Sequence, residues 1–252
     1  MPMSNLLLLP TYNTPFIYGT ANNGKLIIIG KSTPNSVVEI IKPVEEWIQN
    51  FAETTSNSLE INIDLCFYDT PTSLMVSSIL MMLNKQSDKE KRFSINWYFF
   101  SEDEDMMEEG EEFKSIAKFP FTLVCEEYTK ELSIGQTPQS PLIYIDSAGD
   151  FVIKGQCNHP NPMAFYRPIL KWLSDLLISP TIRYVHLDIL LDSVSPSNAP
   201  YVKAIMYFME AIHKQGVKAH IEWNYSSPNI EKFGEEILKN LTLHYYFKEV
   251  SE

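Results

Sequence analysis

Residues 59–73 have the sequence LEINIDLCFYDTPTS, from which the type of fold can be predicted. Apolar side chains stand at every second position of its first part, which is typical of a β-strand with one buried face. These positions are Leu59, Ile61, Ile63, Leu65 and Phe67. The second part begins a helix, because the Thr70 hydroxyl can cap a helix N-terminus and proline is tolerated in the first turn. The segment therefore predicts a strand that passes through a short turn into a helix.

The predicted helix carries apolar residues at helical spacing, and a second alternating strand follows it. The helix positions are Val76, Ile79, Leu80 and Leu83, and the strand positions are Phe93, Ile95, Trp97 and Phe99. Strands separated by helices require right-handed crossovers, which build a largely parallel sheet. Since polar residues occupy the other positions of the strands, we expect one face of the sheet to stay open to solvent.

The same pattern occurs twice in the chain, at a spacing of about 125 residues. Pro15, Trp47, Trp97 and Gly110 reappear in the same order as Pro141, Trp172, Trp223 and Gly234. We therefore predict an α/β protein of two tandem ββαβαβαβ domains, residues 1–128 and 129–252, each with a mostly parallel sheet and helices. The polar residues 128–139 are predicted to form the linker between them.

The composition limits the class of protein and the partners that it can have. The chain of 252 residues carries a formal net charge of -12. Such a charge repels nucleic-acid phosphates and anionic lipids, so we expect neither nucleic acid nor a membrane as a partner. The leucines at positions 6–9 lack the basic flank of a signal peptide, and no apolar run approaches the ~18 residues that cross a bilayer. Three cysteines without Cys-x-x-Cys spacing argue against a disulfide scaffold or a zinc site. These features predict a cytoplasmic protein.

Side chains that could support catalysis do not form recognisable motifs. All five histidines lie in the second half, and none stands at the spacing of a metal-binding pair. The nine glycines form no phosphate-binding loop, dinucleotide-binding motif or nucleophile elbow. The acidic residues 102–105 are better explained as the solvated first turn of a helix, whose dipole they complement, than as a cation site. We therefore predict no enzymatic activity, no cofactor and no bound metal.

The turn at Thr70 permits two interpretations. In the first, Thr70 is only the N-cap of the helix, and the spacing of the residues alone favours this role. In the second, the hydroxyl is a phosphorylation site, because free backbone N–H groups and the helix dipole stabilise a phosphate at a helix N-terminus.

Several segments together resemble the SiaC family of bacterial regulatory phosphoproteins. They are Thr14-Pro15, residues 30–35, Trp47, residues 67–70, Trp97 and residues 103–113. The resemblance implies a fold like that of anti-sigma-factor antagonists (STAS-like) and a switch protein without activity of its own. It further implies three partners in cyclic-di-GMP signalling and biofilm control. In that family a serine/threonine kinase phosphorylates a threonine, a metal-dependent phosphatase removes the phosphate, and the unphosphorylated form activates a diguanylate cyclase, so we expect the same partners here.

The resemblance also assigns the residues of the switch. Thr70 matches the phosphorylated threonine, although Asp69 replaces the family's asparagine and Pro71 replaces a serine. The residues expected to shape the partner surface are Tyr68, Asp69, Thr72, Ser73, Asp103 and Asp105. In the second copy we expect two additional residues in the turn, with Ser193 or Ser195 in place of Thr70. The alternative function is a constitutive protein–protein scaffold with a degenerate phosphosite. The oligomeric state is not predicted.

Overall fold

The computed structural model describes residues 3–86, 92–127, 129 and 131–250. The chain forms two compact units. The first contains Met1–Leu9 and Asn13–Tyr128, and the second contains Thr129–Glu252 together with Pro10–Tyr12. Within the described part of the chain, no helix is long and apolar enough to cross a bilayer.

The first unit is a six-stranded sheet with three helices. In chain order its elements are β1 (Leu6–Leu8), β2 (Phe16–Thr20), β3 (Lys25–Ser32), α1 (Val38–Thr54), β4 (Leu59–Tyr68), α2 (Thr70–Gln86), β5 (Phe93–Phe100), α3 (Glu104–Ile116) and β6 (Phe121–Glu126). The strands lie side by side in the order of the sequence. β1, β2 and β3 pair antiparallel, whereas β3 to β6 pair parallel.

The second unit repeats this architecture. Its elements are β7 (Leu132–Ile134), β8 (Leu142–Ile145), β9 (Asp150–Cys157), α4 (Pro162–Ile178), β10 (Tyr184–Val194), α5 (Ala199–Lys214), β11 (Lys218–Tyr225), α6 (Pro228–Leu238) and β12 (His244–Glu249). The sheet order is β12-β11-β10-β9-β8-β7, again sequential. The prediction of an α/β fold in two tandem, mostly parallel domains is confirmed.

Each unit has one strand more than the sequence predicted. The additional strands, β1 and β7, have three residues each and pair antiparallel with the strand that follows them. β7 lies inside residues 128–139, which were predicted to be a linker. Three residues are too few to display an alternating pattern, so the sequence does not reveal these strands. They are recognised only by their pairing with the neighbouring strand.

The core of the first unit lies between its helices and one face of the sheet. Sequential parallel strands joined by right-handed crossovers place α1, α2 and α3 on the same face. Trp97 of β5 is fully buried there, and Gly110 of α3 lies directly over it. A Cβ atom on Gly110 would stand 2.7 Å from Trp97 Cδ1, and one on Gly234 would stand 2.5 Å from Trp223 Cε2. The repeated Trp and Gly residues are therefore matched packing pairs.

The expectation of an open sheet face holds for only one of the two units. In the first unit Ile27 and Ile29 are as fully buried as Leu26 and Ile28, so both faces of β3 are covered. A continuous apolar run of this kind is typical of a strand buried on two faces. In the second unit His186, on the face away from the helices, keeps 29% of its side chain exposed.

Candidate functional site

The helix that follows β4 is capped by Asp69. The Thr72 N–H donates to Asp69 Oδ1 at 3.0 Å, and the Ser73 N–H donates to the Asp69 carbonyl oxygen at 3.1 Å. Thr70 is the first residue of α2 and Pro71 the second. The predicted N-cap role of Thr70 is therefore wrong by one residue. The carboxylate of Asp69 is the better acceptor, because its negative charge also complements the helix dipole.

This arrangement leaves the Thr70 side chain exposed at the start of α2. Within the described part of the chain, its hydroxyl makes no hydrogen bond. The N–H groups of Thr72 and Ser73 are already bonded to Asp69, and Pro71 has none. A phosphate on Thr70 would therefore meet solvent and the Asp69 charge rather than a set of free helix donors.

Thr72 and Ser32 anchor the turn to the end of β3. Thr72 is fully buried, and its hydroxyl donates to Asp69 Oδ1 at 2.8 Å and lies 2.9 Å from Ser32 Oγ. The Asp69 N–H donates to the Ser32 carbonyl oxygen at 3.2 Å. Thr72 was expected on the partner surface, but it cannot contact a partner because the fold encloses it. Its role is to hold Asp69, and thus Thr70, in place.

A carboxylate from α3 holds the turn from the other side. Glu109 accepts a hydrogen bond from the Tyr68 hydroxyl on one oxygen and from the Ser73 hydroxyl on the other. Burial raises the pKa of Tyr68, and the hydrogen bond to Glu109 and the charges of Glu109 and Asp103 raise it further. Tyr68 therefore remains a protonated donor at physiological pH. Its ring meets Trp97 edge-on at 6.1 Å.

The two aspartates of the acidic segment have different positions. Asp103 is the N-cap of α3 and accepts the Met106 N–H at 3.1 Å, and its charge acts on Tyr68. Asp105 is exposed in the first turn of α3. These positions agree with the interpretation of residues 102–105 as a helix start. Among the described residues, no three His, Cys, Asp or Glu side chains form a group that could hold a metal.

Sequence reasoning missed Glu109 and Ser32. Glu109 lies in a run of acidic residues whose other members are mostly exposed, and nothing in that run distinguishes it. The available signal was its place directly before Gly110, the glycine that lies over Trp97. Ser32 lies in residues 30–35, which were noted for the resemblance but not assigned to the site.

Backbone hydrogen bonds of the turn recur in the second copy, although α2 begins at Thr70 and α5 begins only at Ala199, with Asn198 as its N-cap. The Ser195 N–H donates to the Cys157 carbonyl oxygen at 3.0 Å, as that of Asp69 does to Ser32. The Asn198 N–H donates to the Ser195 carbonyl oxygen at 3.0 Å, as that of Thr72 does to Asp69. Ser195 therefore corresponds to Asp69, and Pro196 corresponds to Thr70.

The placement of Ser193 or Ser195 at the position of Thr70 is thus wrong, and the turn has no additional residues. The error came from the strand, where Val185 was not matched with Leu59 although both begin the buried alternation. Both serines hold local structure. Ser193 Oγ accepts from Asn158 Nδ2 at 2.7 Å, and Ser195 Oγ accepts from the buried Asn198 Nδ2 at 2.8 Å.

The polar cluster around the turn is also lost in the second copy. The residues at the positions of Tyr68, Ser73 and Glu109 are Val194, Ala199 and Phe233. Phe233 packs near Trp223, with a ring separation of 6.1 Å. The second copy therefore has an apolar contact where the first copy has Glu109 and the two hydroxyls bonded to it.

Comparison with known proteins gives matches for each half of the chain. The family model described as SiaC family regulatory phosphoprotein matches residues 8–126 and again residues 134–250. An uncharacterized protein of Pseudomonas aeruginosa (strain UCBPP-PA14) is 28% identical over 121 residues, which cover 48% of this chain and 96% of that protein.

Two solved structures from Pseudomonas aeruginosa are also similar. Apo-SiaC is 27% identical with a TM-score of 0.46, and it covers 48% of this chain and 99% of its own. SiaC in complex with the diguanylate cyclase SiaD, which it activates, is 26% identical with a TM-score of 0.47 and covers the same shares. Since the family model accounts for both halves, the chain belongs to the SiaC family of regulatory phosphoproteins and contains the family's domain twice.

Proposed function

We propose that this chain is a non-enzymatic, phosphorylation-controlled binding protein in which Thr70 is the switch. The observation that carries the proposal is the exposed Thr70 hydroxyl on the first residue of α2. Asp69 performs the capping, so a kinase can modify Thr70 without removing the cap of the helix. Membership of a family of regulatory phosphoproteins supports the same role.

The added charge accounts for the switching. A phosphate adds ~1.5 to 2 negative charges at neutral pH. Asp69 and Glu109 already surround the turn with negative charge, and their acceptor atoms are occupied by hydrogen bonds within the turn. The phosphate therefore stays on the surface, where it repels an acidic partner group and must be desolvated before any partner can dock.

The proposed partner of the unphosphorylated form is a diguanylate cyclase, and the proposed modifying enzymes are a serine/threonine kinase and a metal-dependent phosphatase. SiaC of Pseudomonas aeruginosa activates a cyclase of this class. We propose that phosphorylation, dephosphorylation and partner binding take place in the cytoplasm, where all three enzymes can reach Thr70. Tyr68 and Ser73 hold the turn through Glu109, while the exposed Thr70 and Asp105 are the groups that a partner can contact.

The second copy favours a second function, that of a constitutive docking scaffold. Pro196 stands where Thr70 stands in the first copy, and proline has no hydroxyl to phosphorylate. We propose that the first copy switches and the second binds without switching.

Phosphosite mapping tests the assignment of the switch. The full chain is incubated with ATP and a serine/threonine kinase of the proposed class, and tryptic peptides are analysed by mass spectrometry. We expect phosphate on Thr70 and none on residues 193–197. The Thr70→Ala variant should take up no phosphate, whereas the Ser197→Ala control should be modified like the unaltered chain. Phosphate elsewhere with Thr70 unmodified would overturn the proposal.

A further inference from the structure

Three histidines of the second unit lie in one row across its sheet. His186 of β10 is the register partner of His220 of β11, and His220 is the register partner of His244 of β12. Adjacent strands are ~4.8 Å apart, and partners in register point to the same face. Val185, Ala219 and Leu243, which directly precede the three histidines in the chain, are buried in the core. Because successive side chains of a strand point to opposite faces, the three imidazoles stand on the other face of the sheet.

The imidazoles are close enough for their charges to interact. The ring centroids of His186 and His220 are 5.4 Å apart, and the Tyr246 ring lies 5.1 Å from His220. His220, in the middle, has a histidine on each side. Burial, His186 and His244 together lower the pKa of His220, and Glu222 partly opposes them.

Two half-buried carboxylates, Glu222 and Asp188, stand on this face beside the row, but both already have partners. Glu222 lies 3.8 Å from His186 Nε2, yet it also accepts from the Tyr246 hydroxyl and lies 3.8 Å from Lys248 Nζ. Asp188 pairs with Lys154 at 2.9 Å and accepts from Asn224 at 2.9 Å.

The remaining charged and titratable groups near the row give little further compensation. Asp150 of β9 is the register partner of His186 and is exposed, Lys218 begins β11, and the Tyr184 ring lies 6.2 Å from that of His186. Three imidazolium ions would therefore exceed the free negative charge of this face.

We propose that the row of His186, His220 and His244 is a pH-sensitive element that loosens the edge strand β12 as the pH falls from about 7.5 to about 5.5. Protonation of neighbouring imidazoles places like charges side by side on β10, β11 and β12. β12 is the strand that yields, because among the described strands it lies at the edge of the sheet and has β11 as its single partner.

The first unit provides an internal control within the same molecule. The chain has no histidine before His159. The positions of His186, His220 and His244 correspond there to Glu60, Ser94 and Pro120, as the matching strand registers require. The acid response should therefore be confined to the second sheet.

Hydrogen exchange of the full chain, read by mass spectrometry at pH 7.5 and pH 5.5 and corrected for intrinsic rates, tests this proposal. We expect peptides of β11 and β12 to lose about tenfold in protection at pH 5.5 relative to those of β5 and β6. His244→Gln should abolish most of this loss, whereas the control His159→Gln should keep it. An equal response of both sheets would overturn the proposal.

A titration of the His220 ring by NMR gives a second, independent measurement. The midpoint of His220 should lie below that of an ordinary imidazole, about 6.5. It should rise in the double variant His186→Gln/His244→Gln, because the neighbouring positive charges are removed. A midpoint of His220 that is the same in both proteins would contradict the interaction between the three rings.

Discussion

Glu109 of α3 accepts a hydrogen bond from the hydroxyl of Tyr68 at the end of β4. The same carboxylate accepts a hydrogen bond from the hydroxyl of Ser73 in α2, so one side chain joins three elements around the turn at Thr70. The rigidity of the turn therefore depends on a residue that is distant in sequence. Because the second copy has Phe233 at this position, the polar clamp belongs to the first copy alone.

Replacing Glu109 tests this clamp. Glu109→Ala leaves two part-buried hydroxyls without their acceptor, and we expect a loss of about 1 to 3 kcal/mol in the free energy of unfolding of the first unit. Glu109→Gln should lose less, since its amide oxygen still accepts one hydrogen bond. Urea denaturation provides the comparison, with the exposed Glu112→Ala as the matched control. Equal stability of Glu109→Ala and Glu112→Ala would contradict the clamp.

The capping of α2 by Asp69 predicts different stabilities for two variants of this residue. Asp69→Ala removes the carboxylate that accepts from the Thr72 N–H and hydroxyl, and it should cost about 0.5 to 2 kcal/mol. Asp69→Asn keeps a capping oxygen and should remain close to the unaltered chain. The same denaturation experiment distinguishes them. If both variants unfold at the same urea concentration, Asp69 does not cap α2.

Glu210 of α5 predicts a pH dependence in the second unit. Its carboxylate accepts hydrogen bonds from the N–H groups of Thr242 and Leu243. Its Oε1 atom also forms an ion pair with Lys214 Nζ at 2.9 Å. Burial alone would raise the pKa of Glu210, but hydrogen bonds from Thr242 and Lys214 and from the two N–H groups lower it to about 2. Because the pKa is lower in the folded state, the stabilisation is present above the unfolded pKa, near 4.5, and is lost as the pH falls towards 2.

Glu210→Gln should therefore be less stable than the unaltered chain at pH 7, by at most about 3 kcal/mol. The difference should shrink steadily below pH 4.5. Urea midpoints measured between pH 7 and pH 3 provide the test, with the exposed Glu236→Gln as control. A difference that does not depend on pH would show that the Glu210 charge has no part in it.

The Trp–Gly pairs predict a packing effect. A Cβ atom on Gly110 would lie 2.7 Å from Trp97, so Gly110→Ala should cost about 1 to 3 kcal/mol through overpacking. Gly135→Ala is the matched control, because a Cβ atom there meets nothing within 4 Å. Thermal unfolding followed by circular dichroism measures both. A melting temperature that Gly110→Ala leaves unchanged would mean that α3 can move away from Trp97.

Much of the fold could be predicted because its strands and helices are periodic and repeat. The alternation from Leu59 to Phe67 marks β4, and the Trp97 and Gly110 pair returns as Trp223 and Gly234. The short strands β1 and β7 escaped prediction, since three residues carry no period. Burial of both faces of β3 was visible in its continuous apolar run, but the other strands suggested an open face.

The site was predictable only where it is local in sequence. The turn at Thr70 follows from a strand that meets a helix, yet the choice of Asp69 over Thr70 as cap depends on which side chain reaches the free N–H groups. Glu109 and Ser32 approach the turn through the tertiary fold, about 40 residues away in sequence. The histidine row is invisible in linear spacing, because strand register alone brings its members together.

The affinity of Thr70 variants for the partner tests the central claim most directly. The full chain, Thr70→Ala and Thr70→Glu are titrated by calorimetry into a diguanylate cyclase, the proposed partner, with Ser197→Glu as the charge control in the second copy. We expect Thr70→Ala and Ser197→Glu to bind like the unphosphorylated chain and Thr70→Glu to bind at least about tenfold more weakly, equivalent to ~1.4 kcal/mol. Equal affinity of Thr70→Ala and Thr70→Glu would contradict the switch and favour a constitutive scaffold.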